Sequence, residues 1–305
     1  MDLKISKSSI LIIILIIIYA AFILSSDVSK ISQNIMTMNL LNLLFAIIFW
    51  VCGNLIKVVR WHVFMKSIDD KIPFKKNFQY YLAGFAFALT PGRMGEILRS
   101  PYIKRDYGIS ISKTSAIVFI ERFYDILGMT IILSIGLALI DFDKTILLIP
   151  IGMIIFIVII LTNKKYLLKL LNRMSKMKRF KNITSNFEEL YDTSISLMKT
   201  KFFLIGTSVS IITYSLYSVA VYSLIVGLGG VIKLEEIFVI LPTSMFVAAI
   251  SLIPAGIGVF DGGMVGLLLL YDISYDVAIT TSILIRLIGI GLLSAIGFVF
   301  LKRIS

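Results

Sequence analysis

The chain has 305 residues, of which 58% are hydrophobic and 16% charged, with a mean hydropathy of +0.96. Soluble globular domains carry roughly 25% charged residues, so this composition excludes a soluble protein and indicates an all-α polytopic membrane protein built from apolar runs of about 18 residues or more. The single cysteine, Cys52, excludes an intrachain disulfide, and the net charge of +12 is distributed as loop charge beside apolar runs rather than as a nucleic-acid-binding patch.

Lys4 and Lys7 precede the first apolar run, 9–25, read as a retained span. A signal peptide opens in the same way, but Ile23-Leu24-Ser25-Ser26-Asp27 lacks a small-residue cleavage site. The second span, 40–59, is followed by Lys57, Arg60, Lys66, Lys71, Lys75 and Lys76, read as a basic flank. Segment 78–100 has basic flanks on both sides, and its apolar part, 80–89, is too short to cross twice. It is expected to dip in and return as a re-entrant hairpin, or to lie on the surface. The third span, 114–140, follows Arg93, Arg99, Lys104, Arg105 and Lys113, and the fourth is 145–162. Segment 163–201 holds ten Lys/Arg and an apolar stripe of Leu167, Leu168, Leu170, Leu171 and Met174. It reads as a basic amphipathic helix on an anionic leaflet or as a solvated loop. Spans 202–226 and 277–301 bracket 235–271, which descends to Ile253, turns over 254–263 and climbs back. The count is therefore six full spans plus two re-entrant hairpins, or eight spans if 235–253 and 258–271 both cross. Loops 26–39, 141–144, 227–236 and 271–276 hold only Lys30, Lys144 and Lys233 beside seven acids, so the positive-inside rule puts both termini in the cytoplasm of a cell-membrane protein.

The two hairpin tips are distant copies. Thr90-Pro91-Gly92-Arg93-Met94-Gly95-Glu96 and Ile253-Pro254-Ala255-Gly256-Ile257-Gly258-Val259-Phe260-Asp261 each run from Pro to Gly four residues on and then to an acid. Each is followed by an arginine inside an apolar helix: Pro91 to Arg122 is 31 residues and Pro254 to Arg286 is 32. An offset of 163 residues superposes the prolines, span 40–59 on 202–226 and span 114–140 on 277–301. With opposite loop charges, this predicts an inverted-topology repeat of halves 1–162 and 202–305 within one transmembrane domain, joined by 163–201.

Glu121, Arg122 and Asp125 lie about 12–18 Å along the third span from Lys113, at about 1.5 Å per residue. A charge at mid-bilayer costs at least ~2.5–3.5 kcal/mol, so these three and Arg286 require partners or water. Neutralisation across the repeat interface is one expected solution. The candidate substrate-binding set is Arg93, Glu96, Glu121, Arg122, Asp125, Asp261 and Arg286, because arginine holds phosphate bidentately and stays charged when buried. Pro91, Gly92, Gly95, Pro254, Gly256 and Gly258 are the candidate hinge positions, where backbone approaches a ligand without Cβ obstruction. His62, the one histidine, reads as an interfacial side chain, and a metal site or Ser-His triad is not expected. Asp141-Phe142-Asp143 is an external D-x-D of the kind membrane glycosyltransferases use. No P-loop pattern is present, so ATP-driven chemistry within the chain is not expected.

With the two tips and Glu121-Arg122-x-x-Asp125 in place, the chain resembles the lysylphosphatidylglycerol synthase transmembrane-region family over essentially its whole length. The resemblance implies a flippase-like membrane protein. Bifunctional members carry a soluble aminoacyltransferase domain after the membrane part; this sequence ends at Ser305 without one, which implies translocation rather than lipid synthesis. Relatives in archaea are linked to dolichol-type glycan-lipid pathways. Ala255 stands where the family often has Gly, and Asp261 where it often has Glu. The expected function is a lipid flippase, not an enzyme, that moves an anionic phospholipid or polyprenyl-phosphate-linked lipid. It would use no cofactor, have membrane lipids as partners and be capable of oligomer formation. An integral membrane transferase acting on lipid-linked sugars and a non-transporting accessory protein are the alternatives.

Overall fold

The computed structural model describes residues 28–69, 71–88, 90, 96–140, 145, 148, 151–152, 154–155, 159, 187–251 and 253–305. The expected first span at 9–25, most of the span at 145–162, Pro91, Gly92, Arg93 and Gly95, the Asp141/Asp143 pair and the basic segment up to residue 186 lie outside the described residues. Among the described residues every regular element is helical, and the chain is an all-α membrane protein.

Helix ends follow local chemistry. After α1 (Val28–Thr37), α2 (Leu40–Ile68) starts at Asn39, whose side chain accepts a hydrogen bond from Leu41 N at 2.9 Å. Pro73 precedes α3 (Phe74–Gly84), which tightens into a 3-10 turn at Phe85–Phe87. Helix α4 (Arg99–Tyr107) stops where Gly108 turns left-handed at φ 73°. Ser110 caps α5 (Ile111–Leu139) by accepting from Lys113 N at 3.2 Å. The remainder are α6 (Phe187–Ser196), α7 (Thr200–Gly227), α8 (Leu234–Ser251), α9 (Val259–Leu270) and α10 (Tyr275–Ile304), which loosens into a π-helical turn at Leu287–Leu292.

Among the described residues four helices, α2, α7, α8 and α10, are long and apolar enough to cross a membrane. Helix α5, at 29 residues and about 43 Å, has the length, but its middle carries Glu121, Arg122 and Asp125. One expectation is overturned at α2. Its sequence reading ended at 59 with Lys57 and Arg60 as flanking charges; the helix continues to Ile68, and both side chains are buried. Their partners, described below, let hydrophobic helix continue past them.

Side-chain contacts set the direction of each element. Asn39 N donates to Gly227 O at 3.0 Å, Trp50 stacks on Tyr217, and Phe64 meets Phe202, so α2 and α7 run antiparallel. Gly128 lies against Ser210 and Gly206 against Tyr124, so α5 runs parallel to α7. Gly136 abuts Glu235 and Phe238, which starts α8 at the C-terminal end of α5. Helix α9 then returns along α10, with Asp261 against Ser282 and Arg286. It ends at Tyr271, whose phenol pKa is raised above its ordinary value by burial and then by the Glu236 carboxylate of α8. The earlier hairpin enters from the other end. Phe78 faces Phe300, Ala86 abuts Gly297, and Arg105 donates back to the carbonyls of Ile304 and Ser305. Tyr80, Tyr81, Ala83 and Phe85 are buried, with α3 packed against α2 and α10, so this segment is packed among the helices rather than laid on the surface.

One end of the molecule thus exposes Lys66, Lys71, Lys75, Lys76, Lys104, Arg105, Lys302 and Arg303, while the other presents Glu235, Glu236, Asp272 and Asp276. Between them, small residues permit close backbone approach. A Cβ on Gly297 would sit 2.2 Å from Ala86 N, a backbone atom that cannot swing aside. Gly297→Ala is therefore expected to destabilise the detergent-solubilised protein by about 1–3 kcal/mol through displacement of the hairpin. Gly266→Ala, exposed on α9 with nothing within 4 Å, is expected to be neutral or stabilising by up to about 1 kcal/mol. Thermal unfolding of the two variants checks the contrast.

Candidate functional site: a cavity between two hairpin tips

The charges of α5 are matched by side chains from α2, α4 and the first hairpin. Asp125 receives Lys57 Nζ at 3.1 Å, Arg60 Nη2 at 3.0 Å and Arg122 Nη1 at 3.2 Å. Glu121 receives Arg99 Nη2 at 2.8 Å and has Arg60 Nε at 3.6 Å. Arg60 Nη1 donates to Ser210 Oγ at 2.6 Å, which ties the cluster to α7. The guanidinium of Arg99 lies 3.6 Å from the Trp61 ring centroid with Tyr81 on the same group, a stacking that arginine's planar cation allows. Arg122 Nη2 donates to Glu96 Oε2 at 3.1 Å, closing the first hairpin onto α5. All of these groups are buried except Arg122, whose side chain is 20% exposed.

The second hairpin closes onto α10 in a corresponding way. Arg286 donates Nε to Asp261 Oδ1 at 2.7 Å and Nη2 to Asp261 Oδ2 at 2.7 Å. Its fork also reaches Ala255 O at 2.7 Å and Gly256 O at 2.8 Å. Asp261 further accepts from Ser282 Oγ at 2.8 Å and from Gly258 N at 3.0 Å. The arginine therefore holds the turn itself, where Ala255 (φ 53°), Gly256 (φ 60°) and Gly258 (φ 80°) are all left-handed. That conformation explains why a glycine would suit position 255: an L side chain there costs roughly 1–2 kcal/mol.

Between the tips lies a cavity of about 330 Å³. Ala88 and Thr90 reach it from the first hairpin, and Ile253, Ala255 and Gly256 from the second. Arg122 and Asp125 line one part and Arg286 another, with Trp50, Tyr214, Tyr217, Met129, Met245 and Phe260 as its largely apolar walls.

Of the residues expected from sequence, Arg122, Asp125 and Arg286 therefore border one cavity. Glu96 and Asp261 stand behind the two arginines as their ion-pair partners, and Glu121 is one turn away among the cluster's cations. Gly256 lines the cavity; Pro254 and Gly258 flank the turn. The pairing differs from the expected neutralisation between the halves: each arginine closes on the acid of its own hairpin, because that hairpin docks on the same helix. Lys57, Arg60 and Arg99 were read as loop charge and are corrected to members of the buried cluster. The available signal was the need of Glu121 and Asp125 for cations, since Arg122 alone cannot match both. His62 meets Phe74 edge to face and contacts Asn77 at 2.9 Å, and it does not line the cavity. Among the described residues no group of His, Cys, Asp and Glu suits a metal ion.

The chain is matched by a known family model, that of the lysylphosphatidylglycerol synthase TM region, over residues 9–297. The chain belongs to this family. Among its relatives are a UPF0104 membrane protein of Pyrococcus horikoshii, 25% identical over 97% of both chains, and one of Methanocaldococcus jannaschii, 29% identical over 72% of this chain and 95% of the relative. A third, from Methanothermobacter thermautotrophicus, is 23% identical over 95% of this chain and 94% of its own. The family connects the chain to a membrane-lipid role.

Removing one partner of a buried ion pair leaves a charge without compensation. Arg286→Ala also strips two carbonyls of their donors, and is expected to cost about 3–5 kcal/mol. Arg286→Lys restores less than the full loss, because an ammonium cannot fork across Asp261 and the turn. Ala255→Gly is expected to stabilise by about 0.5–1 kcal/mol, the relieved strain exceeding the added chain entropy. Unfolding of the full chain in detergent measures all three.

Proposed function

We propose that the protein is a lipid translocase: an anionic phospholipid or polyprenyl-phosphate headgroup enters the cavity between the hairpin tips while its tails stay in the bilayer. The observation carrying this reading is that both broken segments and an arginine from each half border one mid-helix cavity. Irregular backbone at such depth is tolerated where it is buried in protein or lines a wet cavity, and paired interrupted segments mark transporter substrate sites.

The halves 1–162 and 202–305 are taken as an inverted-topology repeat within one transmembrane domain. Support comes from three features. Helices α2 and α7 are antiparallel, the hairpins enter from opposite ends, and the ion pairs Arg122–Glu96 and Arg286–Asp261 span 26 and 25 residues. Six spans with two re-entrant segments is the count retained here. The basic end is assigned to the cytoplasm of the cell membrane, with both termini there. Transport would then be a rocking of the two halves about the cavity, with no covalent step and no cofactor.

Reconstitution of the full chain into vesicles with fluorescent anionic phospholipid or polyprenyl phosphate tests the reading. Transbilayer movement well above protein-free vesicles is expected, and Arg122→Gln is expected to reduce it at least about ten-fold, the equivalent of about 1.4 kcal/mol. Movement no faster than in empty vesicles for every lipid, or an Arg122→Gln protein of unchanged activity, would sink it.

A further inference from the structure

We infer that Trp50 is a further headgroup-contacting residue, whose indole N–H donates to a phosphate oxygen of the ligand in the cavity that Arg122 also borders. This rests on the cavity being a headgroup site and adds a neutral donor to it.

The observation that carries the assignment is a donor without an acceptor. Trp50 lines the cavity and is 3% exposed, and its Nε1 is buried with no hydrogen-bond partner among the described residues. Buried polar groups are ordinarily paired, and a donor left unpaired is destabilising. Arg122 shows the same feature in the same cavity. Its two terminal nitrogens are held by Asp125 and Glu96, while its Nε is buried and has no acceptor among the described residues.

Packing fixes where the indole N–H sits. The ring stacks on Tyr217 of α7, with centroids 4.0 Å apart and 19° between the planes. Gly289 of α10 also lines the cavity, and a Cβ there would lie 2.7 Å from Trp50 Cζ2 and 3.3 Å from Nε1. The N–H edge is thus turned to the place a side chain at 289 would take. That wall belongs to the π-helical turn Leu287–Leu292, a geometry found mostly as single turns at functional sites. Trp61 offers a comparison within the molecule. Its Nε1 is also unpartnered among the described residues, but it does not line the cavity, and its face carries the Arg99 guanidinium at 3.6 Å. Tryptophan gives the best face for a cation, which accounts for the residue at 61. The stack on Tyr217 needs an aromatic ring and not an N–H, so the indole at 50 calls for another reason.

An indole N–H only donates, so its partner is an acceptor. In a headgroup site that is a phosphate oxygen, of a lipid phosphodiester or of free phosphate. The donor reads an oxygen and not net charge, so a headgroup bearing an additional amine is not set apart by it.

The test titrates the full chain in detergent with phosphatidylglycerol and with a polyprenyl phosphate, and measures retained lipid by native mass spectrometry. Two variants remove the N–H. Trp50→Phe keeps a ring against Tyr217. Benzothienylalanine at position 50, made in a Trp61→Phe background and compared with that background, keeps the bicyclic shape and puts sulfur in place of the N–H. Each is expected to weaken retention about five-fold, the equivalent of one ordinary hydrogen bond. Without lipid, the benzothienylalanine protein is expected to unfold at no lower temperature than its background, because only an unpaired donor is lost. Lower stability with unchanged retention would show a partner inside the protein or its solvent, and overturns the inference. Unchanged retention in either folded variant overturns it too, as does an unmodified protein that retains neither lipid. Should Trp50→Phe not fold, the benzothienylalanine protein decides alone. Displacement of lipid by inorganic phosphate assigns recognition to the phosphate itself, and resistance to displacement assigns it to the lipid; Trp50 is the donor in both cases. Because retention involves no transbilayer movement, Trp50-dependent binding without transport counts against the translocase reading alone. Transport that both variants leave unchanged counts against this inference alone.

Discussion

Charge inside hydrocarbon has to be matched at short range, and helix α5 places Glu121, Arg122 and Asp125 in its middle. Much of the architecture follows from matching them. Helix α2 continues beyond its apolar run so that Lys57 and Arg60 reach Asp125, and α4 returns from the first hairpin so that Arg99 reaches Glu121. Ser210 on α7 completes Arg60, and the aromatic faces of Trp61 and Tyr81 cover the guanidinium of Arg99. The cluster thus fastens α2, α4, α5 and α7 to one another through side chains that, Arg122 apart, are buried. Such clusters add specificity of arrangement more than net stability, since each ion had to leave water first.

The second hairpin uses the same device differently. A turn of left-handed residues exposes carbonyls that helix would have satisfied, and hydrocarbon offers them no donors. Arg286 supplies those donors and the counter-charge for Asp261 from a single planar group. The π-helical turn beginning at Leu287, immediately after this arginine, locally widens α10 beside the cavity. The hairpin tip is therefore held by side chain–backbone bonds to a neighbouring helix, a form of attachment that can be exchanged for another without unfolding either helix. That property suits a segment bordering a cavity through which a headgroup is proposed to pass.

The two hairpins show how far the pattern in the chain reached. Pro254, Gly258 and Asp261 marked the second turn, because broken helix in an apolar context stands out, while residues 91–95 of the first lie outside the described residues. Arg122 and Arg286 stood out for the same reason. The buried roles of Lys57, Arg60 and Arg99 did not, since a lysine or arginine at the end of an apolar run looks the same whether it turns outward to headgroups or inward to a carboxylate. Helix rotation decides between these, and it depends on contacts with segments more than sixty residues away, as in Arg60 with Asp125 and Ser210.

The sequence alone determined the class of molecule, the places where its helices break and the groups that must find partners, because these follow from apolar length, from Pro and Gly, and from the cost of an ion in lipid. Which partner each ion took was decided only by the tertiary structure: Glu96 and Asp261 with the arginine of the helix their own hairpin docks on, Arg286 with a turn rather than an open site, Arg122 facing the cavity. Pairing is set by crossing and rotation of helices in three dimensions, and a one-dimensional pattern does not contain those angles.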